Sequence, residues 1–197
     1  MKRVIDLLVA SAALVLLSPL LLAAAVLVRF TMGSPVIFRQ TRAGRNGVPF
    51  ELLKFRTMKQ PVPGSESPEH DAARLTPVGR LLRRTSIDEL PSLLNVLRGD
   101  LSVVGPRPLP VAYVERYTPE QARRLLVRPG LTGWAVIHGR NALGWDERFE
   151  LDCWYVDHRT LALDLRIILR TVMLVLNGAG VNHGTGVTMT EFGRDQT

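Results

Sequence analysis

From Val4 to Val28 this chain has 25 residues of which only Asp6, Ser11, Ser18 and Pro19 fall outside the apolar set. A run of that length meets the test for a membrane-embedded helix, which needs about 20 residues. A cleaved leader is not expected, because the run continues through Val26, Leu27 and Val28, past the small-residue site at Ala23 to Ala25. Ser18-Pro19 stands in its middle. Proline has no N–H to donate and its ring collides with the carbonyl four residues back, that of Val15, so a continuous helix is kinked or broken there. The Ser18 hydroxyl can take up a freed carbonyl such as that of Leu14. Each half, roughly 20 Å long, is short of the ~30 Å hydrocarbon core. Both flanks are basic, and basic flanks resist translocation. Two arrangements satisfy these facts: a re-entrant helix-break-helix that enters and leaves on the cytoplasmic side, and a single kinked span.

The formal charge of +7 comes from 25 basic and 18 acidic residues, and its location matters more than its size. Residues 29–59 carry Arg29, Arg39, Arg42, Arg45, Lys54, Arg56 and Lys59 against Glu51 alone, while the charges after residue 59 cancel. A basic belt beside an apolar stretch points to anionic lipid headgroups, at roughly 1 kcal/mol per residue near the surface; an ordinary solvated basic face is the plain alternative. The balanced remainder and an aromatic content of only 6% argue against nucleic acid. Arginine outnumbers lysine 22 to 3, which suits bidentate phosphate binding, although genomic base composition produces the same bias. A single cysteine, Cys153, excludes an internal disulfide and a cysteine-rich metal site. His70, His138, His158 and His183 form no pair at helical ligand spacing, which argues against zinc.

Val36–Gln40 and Phe50–Phe55 are β-prone runs around a glycine-bearing loop at Ala43–Gly47, the pattern of a hairpin. Gln60–Asp71 reads as a surface loop, Pro77–Arg84 as a short amphipathic helix, and a further helix is expected to begin near Asp88. Thr118-Pro119-Glu120-Gln121 marks another helix, to about Val127, with a cap residue, proline at the first position and glutamine three after the cap. Leu161–Leu176 is apolar but interrupted by Asp164, Arg166 and Arg170, so it is a core helix or one lying in the membrane interface. The tail from Asn177 reads as loop. The expected class is α+β and mainly helical, with residues 1–30 as the membrane segment and 31–197 as one domain at the interface.

Asp88-Glu89 follows a basic cluster at a predicted helix start, where the positive end of the dipole favours an ionised carboxylate and can hold a phosphoryl oxygen. Such an aspartate could be a covalent nucleophile with a hard divalent cation beside it; it could equally be a helix cap. Asp146-Glu147 shows how unspecific the dipeptide is. Gly105-Pro106-Arg107-Pro108 mounts one arginine rigidly between two prolines, suited to meeting a phosphate, or is a stiff turn with an incidental arginine. Arg128–Trp134 and Gly139-Arg140-Asn141 are glycine-rich turns without phosphate-loop spacing.

Taken together, KRVIDLL, the Ser18-Pro19 break, GSPVIFRQTRAGRNGVPFELLKFRTM, GRLLRRTSIDELPSLLNVLRGDLSVVGPRPL, RPGLTGWAVIHGRN, FELDCWYV and the terminal Thr188–Gly193 motif resemble the bacterial sugar transferases, the monotopic polyprenyl-phosphate phosphoglycosyl transferases. The resemblance runs nearly end to end and is to the small catalytic-core form. It implies a re-entrant helix broken at Ser18 and Pro19, interfacial amphipathic helices, and a catalytic domain on the cytoplasmic face of a bacterial inner membrane. It implies transfer of a phosphosugar from a UDP-sugar to undecaprenyl phosphate with release of UMP and with Mg²⁺, as the first membrane step of glycoconjugate synthesis. Asp88 then looks like the nucleophile and Glu89 its partner, the two also holding the metal. Lys54, Arg56, Arg83, Arg107 and Arg140 are the cations expected to bind substrate. The oligomeric state, monomer or homodimer, is left open, as are the sugar and the pathway. Two departures bear on sugar specificity: Ser92 stands where the family commonly has Gln, and Gly133–Asn141 replaces a GWAQVNGRN-like run. A lipid-tethered basic binding protein and a metal-dependent phosphatase using the same two carboxylates are the competing readings.

Overall fold

The two halves of the apolar run are separate helices, α1 (Lys2–Leu16) and α2 (Ser18–Met32), bent by 64° at the break. The structure is a computed structural model that describes residues 1–60, 71–139, 143–177 and 191–193. Pro19 sits in the first turn of α2, where its missing N–H is not needed. The carbonyl it cannot serve is that of Val15, and Ser18 Oγ donates to that oxygen at 2.8 Å. The rescued carbonyl is therefore Val15 rather than Leu14, because it is the one proline leaves without a donor. Among the described residues no single helix is long and apolar enough to cross a membrane; the bent pair passes that test only together.

The charges at the start of α1 turn inward. Lys2 Nζ donates to Asp164 Oδ2 at 2.6 Å, Arg3 donates to the carbonyls of Val96 and Leu97, and Asp6 Oδ1 accepts from Ser102 Oγ and the Val103 amide, both at 3.0 Å. Asp6 is only 3% exposed, so both of its donors depend on it. Replacing it by Ala leaves a buried amide and hydroxyl unsatisfied, at about 1–3 kcal/mol. Asp6→Ala is accordingly expected to lower the Tm of the detergent-solubilised protein, with Asp6→Asn, which keeps one acceptor oxygen, falling between the two.

After the helix pair comes a hairpin of β1 (Ile37–Ala43) and β2 (Pro49–Phe55), antiparallel, with Arg42 opposite Phe50, Gln40 opposite Leu52 and Phe38 opposite Lys54. β1 runs three residues further than the expected Gln40. Its turn closes on Arg45–Gly47, where Asn46 and Gly47 both take positive φ. α3 (Asp71–Arg74) and α4 (Pro77–Arg84) follow, the latter capped by Thr76, whose Oγ1 accepts from the Gly79 amide. The helix expected near Asp88 is instead a 3-10 turn, Ile87–Ser92, and α5 (Leu93–Arg98) starts only after it. Pro91 supplies the reason: it has no N–H for an α-helical bond back to Ile87.

A short parallel pair missed by the sequence reading, β3 (Ser102–Val104) with β4 (Gly130–Thr132), adds a second two-stranded sheet. The Thr118–Gln121 capping box forms, but α6 (Pro119–Ala122) passes into a 3-10 turn over Arg123–Leu126. α7 (Trp134–Ile137), α8 (Trp145–His158) and α9 (Leu161–Leu176) complete the fold. The main core joins Ala10 of α1 to Leu52, Val96, Val104, Tyr155 and Ile167, so the first half of the apolar run is built into the domain. A second cluster packs Ala24 and Val28 of α2 on Phe55 and Leu82. The loop expected at Gln60–Asp71 and the tail beyond Asn177 lie almost wholly outside the described residues.

Candidate active site

Asp88 and Glu89 occupy the first positions of the Ile87–Ser92 turn, which opens on Ser86 in the left-handed region, φ 58°. Asp88 is 8% exposed. Glu89 Oε1 accepts from Lys54 Nζ and from Arg107 Nη2, each at 2.7 Å. Three stretches of chain far apart in sequence thus converge on one carboxylate. Each is fixed by its own local chemistry.

Lys54 is held by clamping the residue before it. The Leu53 amide donates to Asn95 Oδ1 at 3.0 Å, and the Leu53 carbonyl accepts from Ser92 Oγ at 2.6 Å. Asn95 Nδ2 also donates to the Glu51 carbonyl at 2.7 Å. Two buried side chains of the Asp88-Glu89 segment therefore act as a partner for β2 and set the height of Lys54 against Glu89. Neither was singled out as a positioning group from sequence.

Arg107 is fixed from three sides. The Gly105 amide donates to the Thr132 carbonyl and the Gly130 amide to the Pro106 carbonyl, while the Ala43 amide donates to the Leu109 carbonyl. A Cβ on Gly130 would lie 2.1 Å from the Gly105 nitrogen, so no larger residue permits this approach of backbones. From behind, Arg124 Nη2 donates to the Arg107 carbonyl at 2.7 Å, and Arg124 is itself paired with Asp152 at 2.7 Å, both side chains 2% exposed. Neither is named as a site residue from sequence, although Arg124 lies in the helix expected from Thr118 and Asp152 in the FELDCWYV motif. On the other flank, Arg83 Nε donates to Thr57 Oγ1 at 3.0 Å. A Cβ on Gly79, one turn earlier in α4, would lie 1.8 Å from the Thr57 carbonyl oxygen. Glycine there lets the helix descend far enough for Arg83 to reach.

Electrostatics divides the two carboxylates. Burial works against the ionised form of Glu89, but the Arg107 guanidinium and the Lys54 ammonium outweigh it and hold this carboxyl well below the usual range. Burial and the neighbouring Glu89 push Asp88 up to about 6, against the pull of Lys54, Arg83 and Arg107. Burial lowers Lys54, partly offset by Glu89, whereas Glu89 raises Arg107. Adjacent carboxyls with acidities pulled apart are the arrangement from which distinct chemical roles arise. Beside them lies a cavity of about 30 Å³ lined by Arg42, Leu52, Lys54, Glu89, Ser92 and Arg107, among others.

Of the five cations named from sequence, the structure brings Lys54 and Arg107 onto Glu89 and places Arg83 close enough to act on Asp88. Arg56 is given other partners: buried, it donates to the carbonyls of Met32 and Ser34 and so ties the end of α2 to β2. Arg140 lies outside the described residues. Asp146-Glu147, the second acidic pair, stands in the first turn of α8 and has the plain helix-start role. Of the basic belt, Arg29, Arg39, Arg45 and Lys59 are exposed while Arg42, Lys54 and Arg56 turn inward, so only part of it is available to headgroups. Among the described residues no three His, Cys, Asp or Glu converge to hold a metal by protein ligands alone. Two neighbouring carboxylates do fit Mg²⁺, which uses one or two carboxylates and takes its remaining oxygens from water and substrate phosphates.

Comparison with known proteins gives a consistent result. A family model described as bacterial sugar transferase matches residues 1–178. An uncharacterized sugar transferase, EpsL, of Bacillus subtilis is 50% identical over 192 residues, spanning 98% of this chain and 95% of the relative. A UDP-glucose:undecaprenyl-phosphate glucose-1-phosphate transferase of Caulobacter vibrioides is 45% identical, over 89% of this chain and 69% of its own length. A UDP-N-acetylgalactosamine-undecaprenyl-phosphate N-acetylgalactosaminephosphotransferase of Aeromonas hydrophila is 40% identical, over 91% of this chain but only 44% of its own.

Proposed function

We propose a function from one premise: the chain belongs to the bacterial sugar transferase family. It moves a phosphosugar from a UDP-sugar to undecaprenyl phosphate at the cytoplasmic face of a bacterial inner membrane, starting a lipid-linked glycan. The α1–α2 pair lies in the membrane as a re-entrant element, and residues 31–197 form the catalytic domain at its surface. Exposed Val15, Leu16 and Leu22 near the break, and Leu165, Leu169 and Met173 along α9, supply apolar surface for that placement.

The observation that carries the reaction is the divided dyad. Glu89, neutralised by two cations, is a poor nucleophile and serves to hold Lys54 and Arg107 in place. Asp88 is less stabilised as an anion and therefore more reactive. An oxygen of its ionised carboxylate attacks the sugar-bearing phosphorus of the donor. The bond from that phosphorus to the oxygen bridging the two phosphates breaks, and UMP leaves with the electron pair. A phosphate oxygen of undecaprenyl phosphate then attacks the same phosphorus, and the bond to Asp88 breaks, restoring the carboxylate. Lys54, Arg83 and Arg107 stabilise charge on the transferring group, the main demand of phosphoryl transfer. Asp88 and Glu89 would hold Mg²⁺, which when bound neutralises charge between carboxylate and diphosphate.

Intact-protein mass spectrometry tests this. Detergent-purified protein with Mg²⁺ and a panel of UDP-sugars, without acceptor, is expected to gain the mass of one phosphosugar and lose it on addition of undecaprenyl phosphate. UMP release that proceeds with water alone, undiminished when acceptor is withheld, would favour the phosphatase reading. No UMP under any condition would leave the tethered binding protein. The pH dependence has a definite sign: Asp88 must be ionised, so kcat/KM is expected to fall about tenfold per unit below pH 6 and to be flat just above it.

A further inference from the structure

Arg42 has no assigned duty, yet it faces the cavity beside the dyad. Paired strands put Phe38, Gln40 and Arg42 of β1 on the same face as Phe50, Leu52 and Lys54 of β2, and Arg42, Leu52 and Lys54 all line that cavity with Glu89 and Arg107. Arg42 Nη2 donates to Gln40 Oε1 at 2.6 Å, a neutral partner two residues back on the same face. Its Nε is buried and has no hydrogen-bond partner. No carboxylate lies within ion-pair distance of it among the described residues. Buried guanidinium N–H groups without acceptors are costly, and their usual resolution is a carboxylate or phosphate.

Charge around the cavity points the same way. Arg42, Lys54 and Arg107 meet one firmly ionised carboxylate, Glu89, so this wall carries a surplus of positive charge. Burial and then Arg107 pull Arg42 down to about 10, with Tyr113, Glu89 and Tyr117 opposing. The groups acting on Asp88 are Glu89, Lys54, Arg83 and Arg107. Arg107 and Glu89 act on both Asp88 and Arg42, so the two groups border one cluster of charge.

We propose that Arg42 is a phosphate-binding residue of this cleft, gripping with Arg107 the nucleotide-side phosphate of the donor while Asp88 attacks the adjacent, sugar-bearing one. The assignment rests on the transferase reading above and adds a division of labour to it. Gln40 holds the guanidinium aimed at the cleft until the donor arrives. The UMP phosphate, not the acceptor's, is the one Arg42 stabilises as it leaves.

The test uses Arg42→Gln and Arg42→Lys in the full chain. Titration of UDP by calorimetry is expected to show affinity reduced at least about tenfold in Arg42→Gln, with partial recovery in Arg42→Lys, while Tm is unchanged or higher because an uncompensated cation has gone. Adduct formation at low donor concentration is expected to slow at least about thirtyfold, with discharge of a preformed adduct by undecaprenyl phosphate unchanged. Unaltered UDP affinity in Arg42→Gln would overturn the proposal. Slowed discharge with normal adduct formation would move Arg42 to the acceptor phosphate and overturn the assignment. A fall in Tm matched by equal losses in both half-reactions would make Arg42 structural. Should the wild-type protein release no UMP from any UDP-sugar, with or without undecaprenyl phosphate, the transferase reading fails by that observation alone. UDP titration of the two variants still decides whether Arg42 binds phosphate.

Discussion

Asp88→Asn is expected to abolish turnover and adduct formation, by about 10³-fold or more, while making the protein more stable. Loss of activity follows, on the proposed mechanism, from removing the attacking oxygen; the amide is nearly isosteric but not nucleophilic. The stability gain follows from linkage. Asp88 ionises with a pKa of about 6 in the folded chain against 3.8 for the free group, so the folded state binds the proton more tightly. A raised carboxyl contributes stability in its protonated form, fully present below the unfolded pKa and lost as pH rises through about 6. Above pH 6 the wild type bears this cost, at most about 2–3 kcal/mol, and the amide, which mimics the neutral acid, does not. The Tm difference between variant and wild type is therefore expected to be largest above pH 6 and to close toward pH 4. A variant that loses activity and Tm together at neutral pH would instead assign Asp88 to holding the turn.

Part of this arrangement was legible in the sequence because it is local. Ser18-Pro19 announces its break whatever surrounds it, since a proline cannot serve the fourth carbonyl back. The hairpin follows from two β-prone runs around Gly44 and Gly47, and the capping box at Thr118–Gln121 needs only four residues. The dyad and the rigid Arg107 mount were visible as local motifs; the dipeptide alone does not separate Asp88 from Asp146, and the basic cluster before Asp88 and the resemblance to the family are what favour it. What the sequence could not show is pairing at long range. The same basic belt, read as facing lipid, contains Lys54 bound to Glu89, Arg56 bound to carbonyls at the end of α2, and Arg42 facing the cleft. Their identity as cations was plain; their direction is set by strand register and by Asn95 and Ser92 gripping β2. The late start of α5 was likewise a contest between a favourable cap and Pro91, which proline decided.

The buried pair Arg124–Asp152 gives the second large effect, and it separates holding the fold from holding the site. Truncating Asp152→Ala strands a buried guanidinium without its counter-charge, and removal of one partner from such a pair costs about 3–5 kcal/mol. A large fall in Tm and loss of activity are expected together. That result alone cannot say why activity is lost, but the double variant Arg124→Met with Asp152→Leu can. Replacing both charges by apolar side chains of similar volume removes the desolvation cost along with the attraction, and is often neutral or stabilising. Tm is therefore expected to return close to that of the wild type. Activity is not, because Arg124 also donates to the Arg107 carbonyl at 2.7 Å and to the Tyr117 hydroxyl at 3.0 Å, and methionine does neither. Arg107 would keep its covalent mount between Pro106 and Pro108 but lose the bond that fixes its peptide from behind. The expected signature is a weaker grip on donor, seen as a raised KM for UDP-sugar, in a protein that melts normally. Full recovery of both Tm and KM would reduce Arg124 and Asp152 to a core ion pair and leave the glycine-lined β3–β4 contact as the element that positions Arg107.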